Sequence, residues 1–149
     1  MITVRPVRRG DADSWCRMRH DLWPDGSAEE HANEIAAFLD ATASEPLAVL
    51  VAEEAGGELV GLAELSIRPC AEGCVTDRVA YLEGWYVAPD GRRRGVGRAL
   101  VRAVEQWARG QGCTELASDT AVDNEASTAA HRAVGFEEVG LIRCFRRPL

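Results

Sequence analysis

Apolar positions recur along the chain at two periods, and the switches between them mark out the elements. Ile2 to Pro6 alternates as a short strand. Trp15, Met18 and Leu22 then recur at helical spacing, with Asp11 or Asp13 as the N-cap, until Pro24-Asp25-Gly26 breaks the pattern. Ser27-Ala28-Glu29-Glu30 carries the Ser-x-x-Glu capping pattern and opens a second helix with the apolar face Ile35, Phe38 and Leu39. Leu47 to Glu53 and Leu59 to Ile67 form a strand pair around the turn Ala55-Gly56-Gly57-Glu58. After an irregular loop over Pro69 to Asp77, Val79 to Val87 is the next strand, and Glu83-Gly84 in its middle predicts a bulge or splay. Gly95 to Arg109 is the most strongly periodic helix, marked by Val96, Leu100, Val104 and Trp107 and ended by Gly110 or Gly112. Thr114 to Ser118 is a strand and Asp123 to Val134 a helix, and Gly135-Phe136 turns into a closing strand or hairpin. The order β-α-α-β-β-β-α-β-α-β is α/β with a mixed sheet.

The stretch from Leu82 to Leu100 carries the strongest chemical signal. A strand runs into Pro89-Asp90-Gly91, then into a basic glycine loop, then into a helix. Glycines at 95 and 97 let an anion approach the backbone. The N–H groups at the helix start, with Arg92, Arg93, Arg94 and Arg98, are suited to a pyrophosphate. Spacing excludes the commoner cradles. Counting from Gly91, the P-loop pattern requires a glycine where Val96 stands, and the dinucleotide fingerprint requires a small residue where Leu100 stands.

Composition narrows the partners. With 149 residues, 46% hydrophobic and 28% charged, the chain fits one domain over 1–149 and neither disorder nor membrane insertion. A formal charge of −7 argues against nucleic acid. It matches a division in which the basic loop takes an anionic cofactor and carboxylates elsewhere take a cationic substrate. The five cysteines include no Cys-x-x-Cys pair, and His20, His31 and His131 are not spaced as metal ligands, so the thiols are expected reduced and no metal is expected. Met1-Ile2-Thr3-Val4-Arg5 lacks the apolar core of a signal peptide, which predicts a cytoplasmic protein.

The pattern Arg/Gln-x-x-Gly-x-Gly/Ala, matched by Arg92, Gly95 and Gly97, resembles the coenzyme A signature of the GNAT acetyltransferases. Leu22-Trp23-Pro24, Leu82-Glu83-Gly84, Ala117-Ser118-Asp119-Thr120 with Asn124, and His131 through Glu138 are similar to the aminoglycoside 6′-N-acetyltransferases over nearly the whole chain. The resemblance implies a GNAT fold, a mixed and mostly antiparallel sheet flanked by helices and splayed at its central strands. It implies acetyl transfer from acetyl-CoA to the 6′-amine of an aminoglycoside antibiotic, and a homodimer. The pantetheine arm would then pair with Trp85, Tyr86 and Val87, and the pyrophosphate would lie on Arg92, Arg93, Arg94, Gly95, Val96, Gly97 and Arg98. Asn124 would bind near the thioester, and Glu83, Asp119 and Trp23 would line the antibiotic pocket. Many GNAT enzymes place a tyrosine four residues before Gly-Phe, and His131 stands there. The loop Arg68 to Cys74 lacks the aromatic this subfamily usually offers the antibiotic, and Phe145 stands where a tyrosine is common.

Only a neutral amine attacks a thioester. An alkyl amine of pKa about 10 is roughly one part in a thousand neutral at pH 7, a handicap of about 4 kcal/mol. Carboxylates that attract the ammonium and accept its proton answer that need. Glu83, at the bulge, and Asp119, at the end of the neighbouring strand, are expected to face one cleft, where two carboxylates raise the pKa of one of them. The competing, lesser readings are an edge-of-sheet salt bridge for Glu83 and an N-cap or Asx turn before the next helix for Asp119. Trp23 offers a flat face to sugar rings or to a cation. His131 is either a proton donor to the departing thiolate or a packing residue beside the cofactor. The same cofactor loop also fits acetylation of a polyamine, amino acid or protein N-terminus, or an acyl-CoA sensor without catalysis. A sensor would need neither carboxylate.

Overall fold

The computed structural model describes residues 1–149. Strands β1 (Ile2–Pro6), β2 (Ala48–Glu54), β3 (Leu59–Arg68), β4 (Val79–Val87) and β5 (Leu116–Ser118) form one sheet in that order. The first three pairings are antiparallel and β4 with β5 is parallel. Helices α1 (Ala12–Leu22) and α2 (Ala28–Leu39) cover one face, where Trp15, Met18, Ile35, Val51, Leu62 and Tyr86 pack together. Helix α3 (Val96–Gly110) covers the other, with Val96, Leu100 and Val104 against Leu50, Ala63, Leu65 and Leu82. Helix α4 (Glu125–Ala133) follows β5.

Local chemistry sets the ends of these elements. Ser27 caps α2 as its pattern predicts, its Oγ accepting from the Glu30 N–H at 3.1 Å. Asp11 stands at the N-cap of α1 but makes no cap bond. Its carboxylate takes the Arg5 guanidinium and the Arg8 N–H instead, since a charged donor is the stronger partner. Asp119 caps nothing; Asn124 holds the start of α4, accepting from the Ser127 N–H at 3.0 Å.

The expected closing strand does not form. Residues 137–149 have no regular structure, and Val139, Leu141, Ile142 and Phe145 are exposed. Their composition is strand-like, but a strand is stabilised by the neighbour it pairs with, and β5 ends the sheet with its outer edge open.

Candidate active site

The site grows from one irregularity in the sheet. Glu64 pairs with Gly84 and Leu65 with Leu82, so Glu83 is an extra residue on β4 with no partner on β3. Such a bulge turns consecutive residues to the same face. Glu83 meets Ser66 and Arg68 of β3 and Gly84 meets Leu22 and Trp23 at the end of α1, while Trp85 packs on the α3 face and Tyr86 on the α1 face, its hydroxyl donating to Asp21 at 2.8 Å. Burial pushes the Tyr86 hydroxyl up to about 12. The missing side chain at Gly84 admits Trp23: a Cβ there would stand 2.6 Å from the indole Cη2. The loop after α1 is thereby pressed against the bulge.

The parallel pair β4/β5 stops at the same place. Leu82 opposite Ser118 is its last rung, so Glu83 and Asp119 are the next residue on each strand. Register therefore places the two residues side by side on neighbouring strands where the pairing ends. From Glu83 onward no strand lies along this edge of β4, which leaves the backbone of Trp85 to Val87 open on that side.

Three further groups join the carboxylates. Glu83 accepts from Arg68 at both oxygens, Nη2 at 2.6 Å and Nε at 2.9 Å, and from the Ser66 hydroxyl. The Arg68 guanidinium lies 3.5 Å over the Tyr81 ring, and the Tyr81 hydroxyl donates to Asp119 Oδ2. Burial and that bond to an anion raise the Tyr81 pKa well above the ordinary tyrosine value, so the hydroxyl stays protonated. Asp119 keeps Oδ1 without a hydrogen-bond partner, whereas both Glu83 oxygens are taken.

Behind Trp23 sits a second, buried set of charges. Glu64 accepts from the Trp15 indole at 3.0 Å and faces Arg19 Nε at 3.3 Å. Arg19 also pairs with Glu34 and lies 5.1 Å from the Trp23 ring centre, while His31 Nε2 holds the Trp23 carbonyl at 3.1 Å. Trp23 is therefore gripped at ring and backbone.

On the α3 side, Gly95 takes φ +81° and Arg93 φ +61°, two left-handed residues in a tight loop that turns backbone N–H groups toward one concavity. The first intrahelical bond of α3 is Ala99 N–H to the Gly95 carbonyl at 2.9 Å, so the N–H groups of Val96, Gly97 and Arg98 are free to face an anion. The four arginines differ. Arg92 Nε donates to the Val87 carbonyl, Arg94 pairs with Glu54, and Arg98 donates to the Ala133 carbonyl, while Arg93 has no polar partner. A backbone cradle followed by an open strand edge fits the pyrophosphate and pantetheine of acetyl-CoA.

His131 is held at both nitrogens: Nδ1 by the Ser127 carbonyl at 2.7 Å and Nε2 by Ser118 Oγ at 2.8 Å. It packs edge-on against Trp85 and Phe136, with Trp85 at 5.1 Å. That arrangement favours a packing and positioning role over direct delivery of a proton. Asn124, through its cap, fixes the helix that presents His131.

Sequence reading missed Arg68, Ser66, Tyr81, Glu64 and Arg19. A signal for three of them was present: Glu64, Ser66 and Arg68 alternate along an otherwise apolar strand, a polar stripe on one face.

Comparison with known proteins agrees with this geometry. Residues 14–136 match the acetyltransferase (GNAT) family. The chain is 60% identical over 146 residues to aminoglycoside N(6′)-acetyltransferase type 1 of Klebsiella aerogenes, covering 98% of this chain and 96% of that one. It is 44% identical over 148 residues to the enzyme of the same name from Stenotrophomonas maltophilia, covering 99% and 94%. The structure of AAC(6′)-Iy in complex with the bisubstrate analogue CoA-S-monomethyl-acetylneamine matches with a TM-score of 0.90 at 33% identity, covering 100% of this chain and 99% of that one. With its glycine loop, its splayed β4/β5 pair and relatives matched over nearly its whole length, the chain belongs to the GNAT acetyltransferase family, among the aminoglycoside N(6′)-acetyltransferases.

Proposed function

We propose that this protein transfers the acetyl group of acetyl-CoA to the 6′-amine of aminoglycoside antibiotics, with antibiotic resistance as the result. The observation that carries the reading is the register at the splay, where Glu83 and Asp119 leave the ladder together beside an open strand edge and the Trp23 loop. Acetyl-CoA supplies the activated acyl group. The chain's own residues prepare the amine: the two carboxylates draw the ammonium in, and the free Asp119 oxygen receives its proton directly or through water. Trp23 lines the sugar side. Coenzyme A thiol release settles the reaction when measured with kanamycin, tobramycin, amikacin, a 6′-hydroxyl aminoglycoside, spermidine and an N-terminal peptide. Release confined to the 6′-amino compounds supports the reading. Release with spermidine or peptide alone replaces it with another amine, and binding of acetyl-CoA without any release replaces it with a sensor.

We assign residues 1–149 to one catalytic domain acting as a homodimer in the cytoplasm, where acetyl-CoA is available. The exposed apolar residues of the 137–149 arm, the open edge of β5 and a groove of about 210 Å³ lined by Glu105, Arg109, Leu116, Val134, Gly135 and Phe136 support a second copy as a neighbour. Sedimentation at twice the chain mass, falling to one chain mass in Leu141→Glu/Ile142→Glu, is the expected result. Five free cysteines, two of them exposed, agree with a reducing compartment.

A further inference from the structure

We propose that Arg68 is the pocket's resident cation: it occupies the Glu83 carboxylate that a substrate ammonium requires, and must swing aside before that amine can bind. The proposal rests on the acetyl-transfer reading and adds to it the residue that sets how strongly a cation must bind to be accepted.

Three observations carry it. First, Glu83 has no free oxygen. Arg68 takes both through Nη2 and Nε, and Ser66 adds a third donor, so an ammonium cannot reach the carboxylate at full strength while Arg68 stays. Second, one guanidinium spans the pocket. It stacks on Tyr81, whose hydroxyl ends on Asp119, and the Asp119 charge reaches Arg68 as well, raising its pKa alongside the larger effect of Glu83. Third, Arg68 is held only by Glu83 and by the Tyr81 ring it lies on. Glu83 is its only hydrogen-bond acceptor, and the two side chains are 40% and 27% exposed. A pair this exposed is screened by solvent, and its arginine rides on a long flexible side chain that can swing into water.

The exchange has a consequence for substrate class. A single ammonium entering at Glu83 replaces one unit charge with another and gains little. A molecule with several ammonium groups also has the open Asp119 oxygen to use, and that second contact has no internal competitor. The pocket is therefore built for polycations.

The test is calorimetric binding of kanamycin, alongside kcat and KM, for the wild type, Arg68→Met and Arg68→Gln. Met keeps the stem that covers Tyr81; Gln provides a second variant if Met perturbs the fold, and an unchanged acetyl-CoA Kd reports an intact protein. Removing the competitor should tighten kanamycin about fivefold in Kd and lower KM by the same factor. Weaker or unchanged kanamycin binding, or a fall in kcat at constant KM, overturns the proposal and makes Arg68 a clamp that orients Glu83. If the wild type acetylates no aminoglycoside, the function reading fails separately, and the calorimetric Kd still decides the role of Arg68.

Discussion

Two glutamate–arginine pairs lie on the same face of the sheet and do different work. Glu64 with Arg19 is buried, the side chains 3% and 7% exposed, and its third member is the Trp15 indole. Glu83 with Arg68 is half open to solvent, bidentate and stacked on Tyr81. The chemistry of the pairs is the same; the surroundings differ. Taking charges out of water costs several kcal/mol per ion, so a buried pair adds little net stability, yet losing one partner strands the other. An exposed pair is cheap to make and cheap to break. Burial thus makes Glu64 and Arg19 part of the framework behind Trp23, while exposure leaves Glu83 free to exchange its partner.

The largest expected effect separates the two glutamates by turnover. Asp119→Asn should lower kcat/KM for kanamycin about 10²- to 10⁴-fold, the range for a lost proton-transfer group, and Glu83→Gln should lower it strongly through lost attraction of the ammonium, each with acetyl-CoA affinity within a few-fold. Glu64→Gln should leave kcat within a few-fold. Steady-state kinetics on the three variants check this, and wild-type turnover in both Glu83→Gln and Asp119→Asn would remove those residues from the chemistry. Stability should rank them the other way. Glu64→Ala leaves Arg19 buried with only Glu34, itself largely exposed, and should cost about 3–5 kcal/mol in urea unfolding. Glu83→Ala should cost no more than about 1 kcal/mol. Equal losses would mean that burial does not distinguish the pairs.

A third, smaller effect probes the contact that joins the two regions. In Gly84→Ala the new methyl would meet Trp23 at 2.6 Å, and Leu22 and Trp23 would have to move together. Overpacking of this kind costs about 1–3 kcal/mol. The KM for kanamycin should rise while that for acetyl-CoA holds, because the glycine loop lies on the opposite face. A parallel rise in both would place Trp23 outside the antibiotic pocket.

What the chain disclosed in advance was local. The glycine loop, the Ser27 cap and the bulge at Glu83-Gly84 each lie within a few consecutive residues, and the bulge alone led to the register that brings Asp119 alongside. Arg19 and Glu64 stand 45 positions apart, and their pairing depends on how α1 lies on β3, which no spacing encodes. The polar stripe Glu64, Ser66, Arg68 was legible, but inside an apolar run it reads as one strand unless period 2 is followed on each face separately. Val139 to Phe145 misled in the opposite direction: the residues favour a strand, yet none forms along the open edge of β5 and their apolar side chains stay exposed.

The smallest effect concerns pH, and here the buried pair can be set against another ion pair of opposite sign. Burial raises the Glu64 pKa above the ordinary glutamate value of 4.5, with Arg19 and Trp15 opposing it. The folded protein therefore holds that proton more tightly than the unfolded chain. The stabilisation is complete below 4.5 and is lost as pH rises from there through the folded-state value. Asp11 behaves in reverse. Its bonds from Arg5 hold it below the ordinary aspartate value of 3.8, so its contribution is present above 3.8 and disappears as pH falls through the lower folded-state value. Urea unfolding across pH 2–8 should show Glu64→Gln losing less stability than the wild type on the rise above 4.5, and Asp11→Asn losing less on the fall below 3.8. Each substitution should flatten only its own limb. If Glu64→Gln leaves the rising limb unchanged, Arg19 and Trp15 outweigh burial at Glu64, and the buried pair compensates its own loss of water.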